Sequence, residues 1–376
     1  MTVTAGLARA PARVVFRCDA AVAMGSGHVM RCLTLARALK AEGTECHFIC
    51  RAHPGHLLDA IRVAGFAFHA LPAGETARGS LAHAHWLGAS QEEDAAQSLA
   101  LICGLQPDWL VVDHYALDVV WEQVLRTVSK RLMVIDDLAD RVHDAELLLD
   151  QNLGRRAEDY LTLVPPHGRV LAGPAFALLR DEFPAARAPS LRRRPSPAVR
   201  DLLVSLGGAD AQNVTCAVLE ALLNCPLPPE CRVSVILGLA NPWLANVRAL
   251  ARRLPWATEV MVDVPDMARH LCVADLVIGA AGGSAWERCC LGVPSVILVL
   301  AANQRAGANA LSQAGGALLA ESPDNLPELF ARLDAVGLAS LSARAAEVCD
   351  GHGSQRVLEA MKMLPQTFNP ETVNDA

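Results

Sequence analysis

What most restricts the fold of this chain is a recurring unit: a short apolar run that ends in an acid or a glycine, followed by a loop and then a segment of helical periodicity. In the first half the runs are Val14-Val15-Phe16, Cys46–Cys50, Ala67–Leu71, Trp109–Asp113, Leu132–Asp136 and Leu147–Asp150. In the second half they are Asp201–Leu206, Val233–Leu237, Val260–Asp263, Asp275–Gly279 and Ser295–Leu300. Apolar runs of this length with polar ends are the pattern of parallel strands buried on both faces. Helical segments between them, such as Val29–Lys40 and Asn213–Leu222, predict doubly wound α/β sheets. The unit restarts after a basic, proline-containing run, Leu191-Arg-Arg-Arg-Pro-Ser-Pro197, which reads as a surface linker. The expectation is therefore two Rossmann-like domains facing across a cleft, 1–190 and 199–364, joined by a linker at 191–198, with a helix from Ser354 able to pack back across the domains and a loose polar tail at 365–376.

In open α/β sheets the ligand crevice lies beyond the carboxyl ends of the strands, and that is where this chain concentrates its polar residues. The first strand runs into Gly25-Ser26-Gly27-His28, with Arg31 one turn further on. The glycines let the backbone turn sharply and approach a ligand, and a helix start offers free N–H groups to an anion. A neutral imidazole at such a loop suits general-base chemistry beside a phosphate; the alternative is a histidine that merely caps its own helix. Three more strands end in acids: Asp113, followed by His114 and Tyr115; Asp136-Asp137; and Asp150, followed by Gln151 and Asn152. Each alone also reads as loop capping. In the second half Gly207-Gly208 closes one strand and Gly279-Ala-Ala-Gly282-Gly283-Ser284-Ala-Trp-Glu287 another. Gly282 and Gly283 permit backbone N–H groups to face phosphate oxygens, and Ser284 adds a hydroxyl. Glu287 has the chemistry to accept two hydrogen bonds from ribose hydroxyls, or to act as a helix-capping acid. Asn303-Gln304 brings amides to the same edge, and Arg180 lies in the closing loop of the first domain. A diphosphate held by amides and hydroxyls demands no metal; Asp136-Asp137 is the one pair that suggests a cation site.

Composition removes other classes. The 376 residues carry a net charge of −7 and are 52% hydrophobic, which supports large cores and speaks against general nucleic-acid binding. No apolar stretch is long enough for a membrane span, although the mean hydropathy of +0.26 leaves peripheral membrane contact open. No long apolar region near the start suggests a secretory signal, so none is expected, and the twelve cysteines are scattered without paired spacing. The expectation is a cytoplasmic protein with reduced, buried thiols.

The motifs Gly25-Ser-Gly-His-Val-Met-Arg31-Cys, Asp113-His-Tyr-Ala-Leu-Asp118, Ile135–His143, Leu149-Asp-Gln-Asn152, Leu178-Leu-Arg-Asp-Glu-Phe183, Ser205-Leu-Gly-Gly-Ala-Asp210 and Ala281-Gly-Gly-Ser-Ala-Trp-Glu-Arg288 together resemble the PseG family, the UDP-2,4-diacetamido-2,4,6-trideoxy-β-L-altropyranose hydrolases of pseudaminic acid biosynthesis. The matches run in the family's order from Arg17 to Gln304. That family is similar in fold to the GlcNAc transferase MurG, a two-domain glycosyltransferase of the B type (GT-B). The resemblance implies that His28 is the base that activates water, that C1–O of the UDP-sugar is cleaved with inversion, and that UDP and a free sugar leave. It places Tyr115, Asp113 and Arg180 among the residues holding sugar or water, and Glu287 on the ribose. The partners implied are the UDP-sugar and water, with no cofactor, for a monomer whose product enters flagellin or surface polysaccharide. Two other readings compete: a UDP-sugar glycosyltransferase on the same fold, and a nucleotide-sugar binder without activity.

Overall fold

The computed structural model describes residues 12–74, 79–194, 198–208, 210–239 and 241–364. The expected tail at 365–376 and the linker residues 195–197 lie outside the described residues. The first half runs β1 (Arg13–Cys18), α1 (Gly27–Ala41), β2 (Glu45–Arg51), α2 (Leu58–Val63), β3 (Ala67–Leu71), α3 (Gln91–Ile102), β4 (Trp109–Asp113), α4 (Val119–Leu125), β5 (Leu132–Ile135), β6 (Leu147–Asp150), β7 (Arg169–Ala172) and α5 (Glu182–Arg193). The second half runs β8 (Asp201–Ser205), α6 (Val214–Leu222), β9 (Arg232–Leu237), α7 (Leu244–Ala251), β10 (Ala257–Val262), α8 (Met267–Val273), β11 (Leu276–Ala280), α9 (Ser284–Cys290), β12 (Ser295–Leu298), α10 (Arg305–Gln313), β13 (Leu318–Ala320), α11 (Leu326–Ala331), α12 (Ala335–Val348) and α13 (Gly353–Met363).

Among the described residues these strands pair in parallel, in a seven-stranded sheet of order β3-β2-β1-β4-β5-β6-β7 and a six-stranded sheet of order β10-β9-β8-β11-β12-β13. Both orders reverse direction beside their first strand, so each sheet opens a crevice at its switch point: β1/β4 in one, β8/β11 in the other. The central strands are apolar on both faces because helices cover both. Phe16 and Phe48, for instance, stack at 4.8 Å beneath the buried stripe of α1, which includes Val29, Leu33, Ala36 and Leu39. The short edge strands β7 and β13 were not among the sequence expectations; at four and three residues they have too few positions to show a pattern.

Two helices cross between the halves and correct the expected boundaries. Phe183 of α5 is buried in the core of the second sheet, and α5 packs on α8 and α9. In return Val357, Leu358, Ala360 and Met361 of α13 join the core of the first sheet. The division at 190 and 199–364 therefore does not follow the cores: α5 belongs with the second and α13 with the first. The basic run is also not a linker throughout. Leu191–Arg193 finish α5, and Arg194 is buried, donating to the carbonyls of Ala274 (2.5 Å), Leu271 (3.1 Å) and Cys272 (3.0 Å) at the end of α8. A guanidinium there satisfies carbonyls that the helix leaves without partners. All twelve cysteines are free, but Cys103 is exposed at the end of α3 rather than buried. Among the described residues no helix is long and apolar enough to cross a membrane.

Candidate active site

The two switch points face one cleft of ≈ 630 Å³. On its first wall, the chain leaving β1 turns at Gly25, whose φ of 82° lies in the left-handed region that favours glycine. That turn delivers His28 into the opening turn of α1. Parallel register sets Cys18 of β1 opposite Asp113 of β4, and the Asp113 carboxylate lies under the histidine, its Oδ1 2.6 Å from His28 Nδ1. Arg31, one turn along α1, grips the same carboxylate with Nε to Oδ2 and Nη2 to Oδ1, both at 2.6 Å, and reaches Asp137 Oδ2 with Nη1 at 2.7 Å. Burial raises the pKa of Asp113, but the Arg31 guanidinium and His28 outweigh it and hold the carboxyl well below the usual range. Tyr115 meets the His28 ring edge-on at 4.6 Å and donates its hydroxyl to Asp137 at 2.5 Å; burial, followed by the Asp137 charge, pushes its own pKa up. Asn152 Nδ2 donates to the other Asp137 oxygen at 2.9 Å.

The second wall comes from the ends of β8 and β11. Gly207, at φ 92°, starts a loop that Asp210 pins by accepting from the Val214 (2.8 Å) and Thr215 (2.9 Å) amides. Gly282, Gly283 and Ser284 follow β11. Beneath them the buried Arg288 donates to Ala280 O at 2.7 Å and to Ser284 Oγ at 3.1 Å. Gly279 leaves room for that guanidinium, since a Cβ would sit 2.7 Å from Arg288 Nη1 and force it to shift. Gln304 folds back to accept from the Leu300 amide at 3.0 Å. Burial pushes the Glu287 carboxyl up to about 7, opposed by Arg180, whose guanidinium is 3.8 Å away.

The candidate catalytic and UDP-binding residues named from sequence all line this cleft except Asp113, and of the candidate cation pair Asp137 lines it but Asp136 does not. Asp113 is fully buried and faces His28 and Arg31, so it is placed to orient the imidazole and not to hold sugar or water. Arg31 lines the cleft but spends most of its donors on the two aspartates. Asp137, read from sequence as half of a cation pair, already accepts from Arg31, Tyr115 and Asn152; its neighbour Asp136 is tied instead to Arg141 at 2.7 Å. Among the described residues no group of three or more His, Cys, Asp or Glu side chains is arranged to hold a metal. Gln151 and Asn152, expected at the crevice as the residues after Asp150 but given no role there, also line the cleft. The loop carrying His83 and Trp86 was not among the expected site elements: Trp86 stacks on Tyr115 at 5.7 Å and His83 meets the same ring tilted, at 5.3 Å; the clustering of His83, His85 and Trp86 between glycines was the available signal.

No family model matches the chain. In sequence it is 25% identical over 293 residues to an uncharacterised protein of Methanocaldococcus jannaschii, covering 74% of this chain but only 54% of that relative. It is 23% identical over 303 residues to the UDP-2,4-diacetamido-2,4,6-trideoxy-β-L-altropyranose hydrolase of Campylobacter jejuni, covering 81% of this chain and 97% of the relative. Among solved structures it superposes on MurG of Acinetobacter baumannii with a TM-score of 0.68 at 18% identity, over 94% of this chain and 99% of the other. The fold is GT-B. Two parallel sheets with helices, meeting at facing switch points, are the features the likeness rests on.

Proposed function

We propose that the protein hydrolyses a UDP-linked 2,4-diacetamido-2,4,6-trideoxy sugar, releasing UDP and the free sugar with inversion at C1, as a step in making pseudaminic-acid-type sugars. The observation that carries this reading is the His28–Asp113 pair. A buried carboxylate holds Nδ1, so the Nε2 lone pair of a ring lining the cleft remains to take a proton. Similarity to the Campylobacter hydrolase along most of both chains supports the substrate class.

In this mechanism water attacks C1 from the side opposite the diphosphate and gives its proton to His28 Nε2 as the C–O bond forms. The C1–O bond to the β-phosphate breaks, and its electron pair leaves on the phosphate oxygen. The amides of Gly282 and Gly283, the Ser284 hydroxyl and the Gly25–Gly27 turn receive that charge. Glu287 takes the ribose hydroxyls. Asp113 stabilises the imidazolium that forms, while Arg31 and Tyr115 fix Asp137 and Asp113 around it. No step requires a metal. The test is His28→Asn: UDP binding unchanged within about twofold and hydrolysis reduced about 10²–10⁴-fold, the usual contribution of a general base. Activity retained within a few-fold contradicts the assignment.

A transferase on the same cleft is the second reading. It is favoured by a side chamber of ≈ 300 Å³ that opens past Asp137, Asn152 and Asn303 toward α10, with room for an acceptor. It requires that UDP release depend on an added acceptor.

A further inference from the structure

Gln151 is the first residue after Asp150 of β6, and it is 6% exposed. Its Oε1 accepts from the Leu178 amide at 3.2 Å. A backbone N–H can only donate, so the oxygen must face Leu178 and the NH2 must face the other way. That other way is across the cleft: a Cβ on Gly283 would lie 3.8 Å from Gln151 Nε2. Among the described residues Nε2 meets no acceptor.

The same device recurs on the opposite wall. Gln304 has its Oε1 occupied by the Leu300 amide, which turns its Nε2 toward Gly282, 3.3 Å from where a Cβ would be. Ser284 has its Oγ occupied by Arg288 Nη1, so its hydroxyl hydrogen is free to point outward. In each of these three groups the oxygen accepts one bond from behind; the two amide NH2 groups are thereby turned toward the Gly282–Gly283 backbone, and the Ser284 hydroxyl hydrogen is left to donate beside them. Arg288 adds a buried positive charge, and among the described residues no carboxylate is bonded to it. A cluster in which donors outnumber the remaining acceptor sites fits an oxyanion better than a sugar hydroxyl, which needs acceptors as well.

We propose that Gln151 is a direct ligand of the diphosphate, donating from the first domain to an anion seated on the Gly282–Ser284 loop of the second. The leaving group is then held from both sides of the cleft, and the donor is in place before charge develops on the departing phosphate. This rests on the UDP-sugar reading above. It makes Gln151 a catalytic residue distinct from the histidine, and it makes the diphosphate the bridge that ties the two sheets together.

Gln151→Glu is the informative change. A carboxylate still accepts from Leu178 with the same shape, but it loses the donor and opposes the anion. The expected result is a folded protein with a somewhat lowered melting temperature from the buried carboxylate, unchanged uridine affinity by saturation-transfer NMR, and UDP affinity weakened about 10–100-fold by titration calorimetry, the range for losing a hydrogen bond to a charged group. Gln151→Ala is expected to weaken UDP less than Gln151→Glu, since it removes the donor without adding repulsion. UDP affinity within twofold of wild type in Gln151→Glu overturns the proposal, as does a loss of uridine and UDP binding by the same factor, which marks a structural role. If wild-type protein fails to bind UDP, the reading of the cleft falls and this proposal with it; if it binds UDP and the variant matches it, Gln151 alone is misassigned.

Discussion

Asp113→Asn tests the pair at the centre of the site, and the geometry dictates how large its effect should be. Oδ1 of Asp113 receives two donors, His28 Nδ1 and Arg31 Nη2, whereas Oδ2 receives Arg31 Nε and the weak Cys32 thiol. An asparagine therefore keeps its oxygen at the Oδ1 position and turns its NH2 toward Arg31 Nε. The histidine keeps its tautomer but loses the negative charge that stabilises its cation. Replacing a charge-assisted hydrogen bond with a neutral one weakens it by roughly 1.5 kcal/mol, about tenfold in rate, and the donor–donor conflict at Arg31 adds to this. The expected fall in kcat for UDP release is about 10–100-fold. Because Arg31 and Asp113 are both buried, breaking their pairing costs about 3 kcal/mol, the low end of the range, since Asp137 remains to face the guanidinium. That corresponds to roughly 6–12 °C in melting temperature. UDP affinity should not change, because Asp113 does not line the cleft. Wild-type kcat in a folded, UDP-binding variant refutes the pairing as a catalytic device. A loss near 10⁴-fold, the size expected of a wrong tautomer, refutes the orientation assigned to the asparagine. The substitution also removes an acid sensitivity. Asp113 has its folded pKa depressed, so its contribution to stability is full above about pH 4 and is lost as pH falls below it; wild type should lose this increment on acidification and the variant should not.

Glu287, with its carboxyl pushed up to about 7, should bind uridine more tightly as pH rises through 7, because the carboxylate is the better acceptor for ribose hydroxyls; in Glu287→Gln, uridine affinity measured by NMR should be weaker and flat with pH. The same raised pKa works against folding above the unfolded value. Glu287 therefore makes stability decline as pH rises from about 4.5 toward 7, and Glu287→Gln should reduce that decline in urea melts. Gly279→Ala places a Cβ 2.7 Å from Arg288 Nη1 in a packed core and should cost about 1–3 kcal/mol in denaturant unfolding, with a weaker grip on UDP because Arg288 also holds Ser284.

The strands and the glycine turns could be read from the sequence because each is a local pattern. Leu110-Val-Val and Leu147-Leu-Leu are apolar on both faces, Gly207 and Gly282 stand just past strand ends, and Gly25 just before the start of α1. The role of Asp113 was not legible, because a strand-ending acid reads the same whether it faces the cleft or lies beneath it. Only the register of β1 against β4 and one turn of α1 put it under His28. Leu191–Arg194 looked like a linker because its partners, the carbonyls at the end of α8, lie about 80 residues away. Gln151 sat in a quoted motif, yet its orientation depends on the Leu178 amide, 27 residues on. Local signals thus placed the loops, and long-range contacts decided which side chains point inward.

The most direct test of the central claim is proton NMR of the anomeric centre while purified protein acts on UDP-2,4-diacetamido-2,4,6-trideoxy-β-L-altropyranose in EDTA, with no acceptor present. Hydrolysis at His28 yields stoichiometric UDP and a free sugar whose first-formed anomer is inverted at C1. No UDP release until an acceptor is added, or a first-formed anomer with retained configuration, contradicts it.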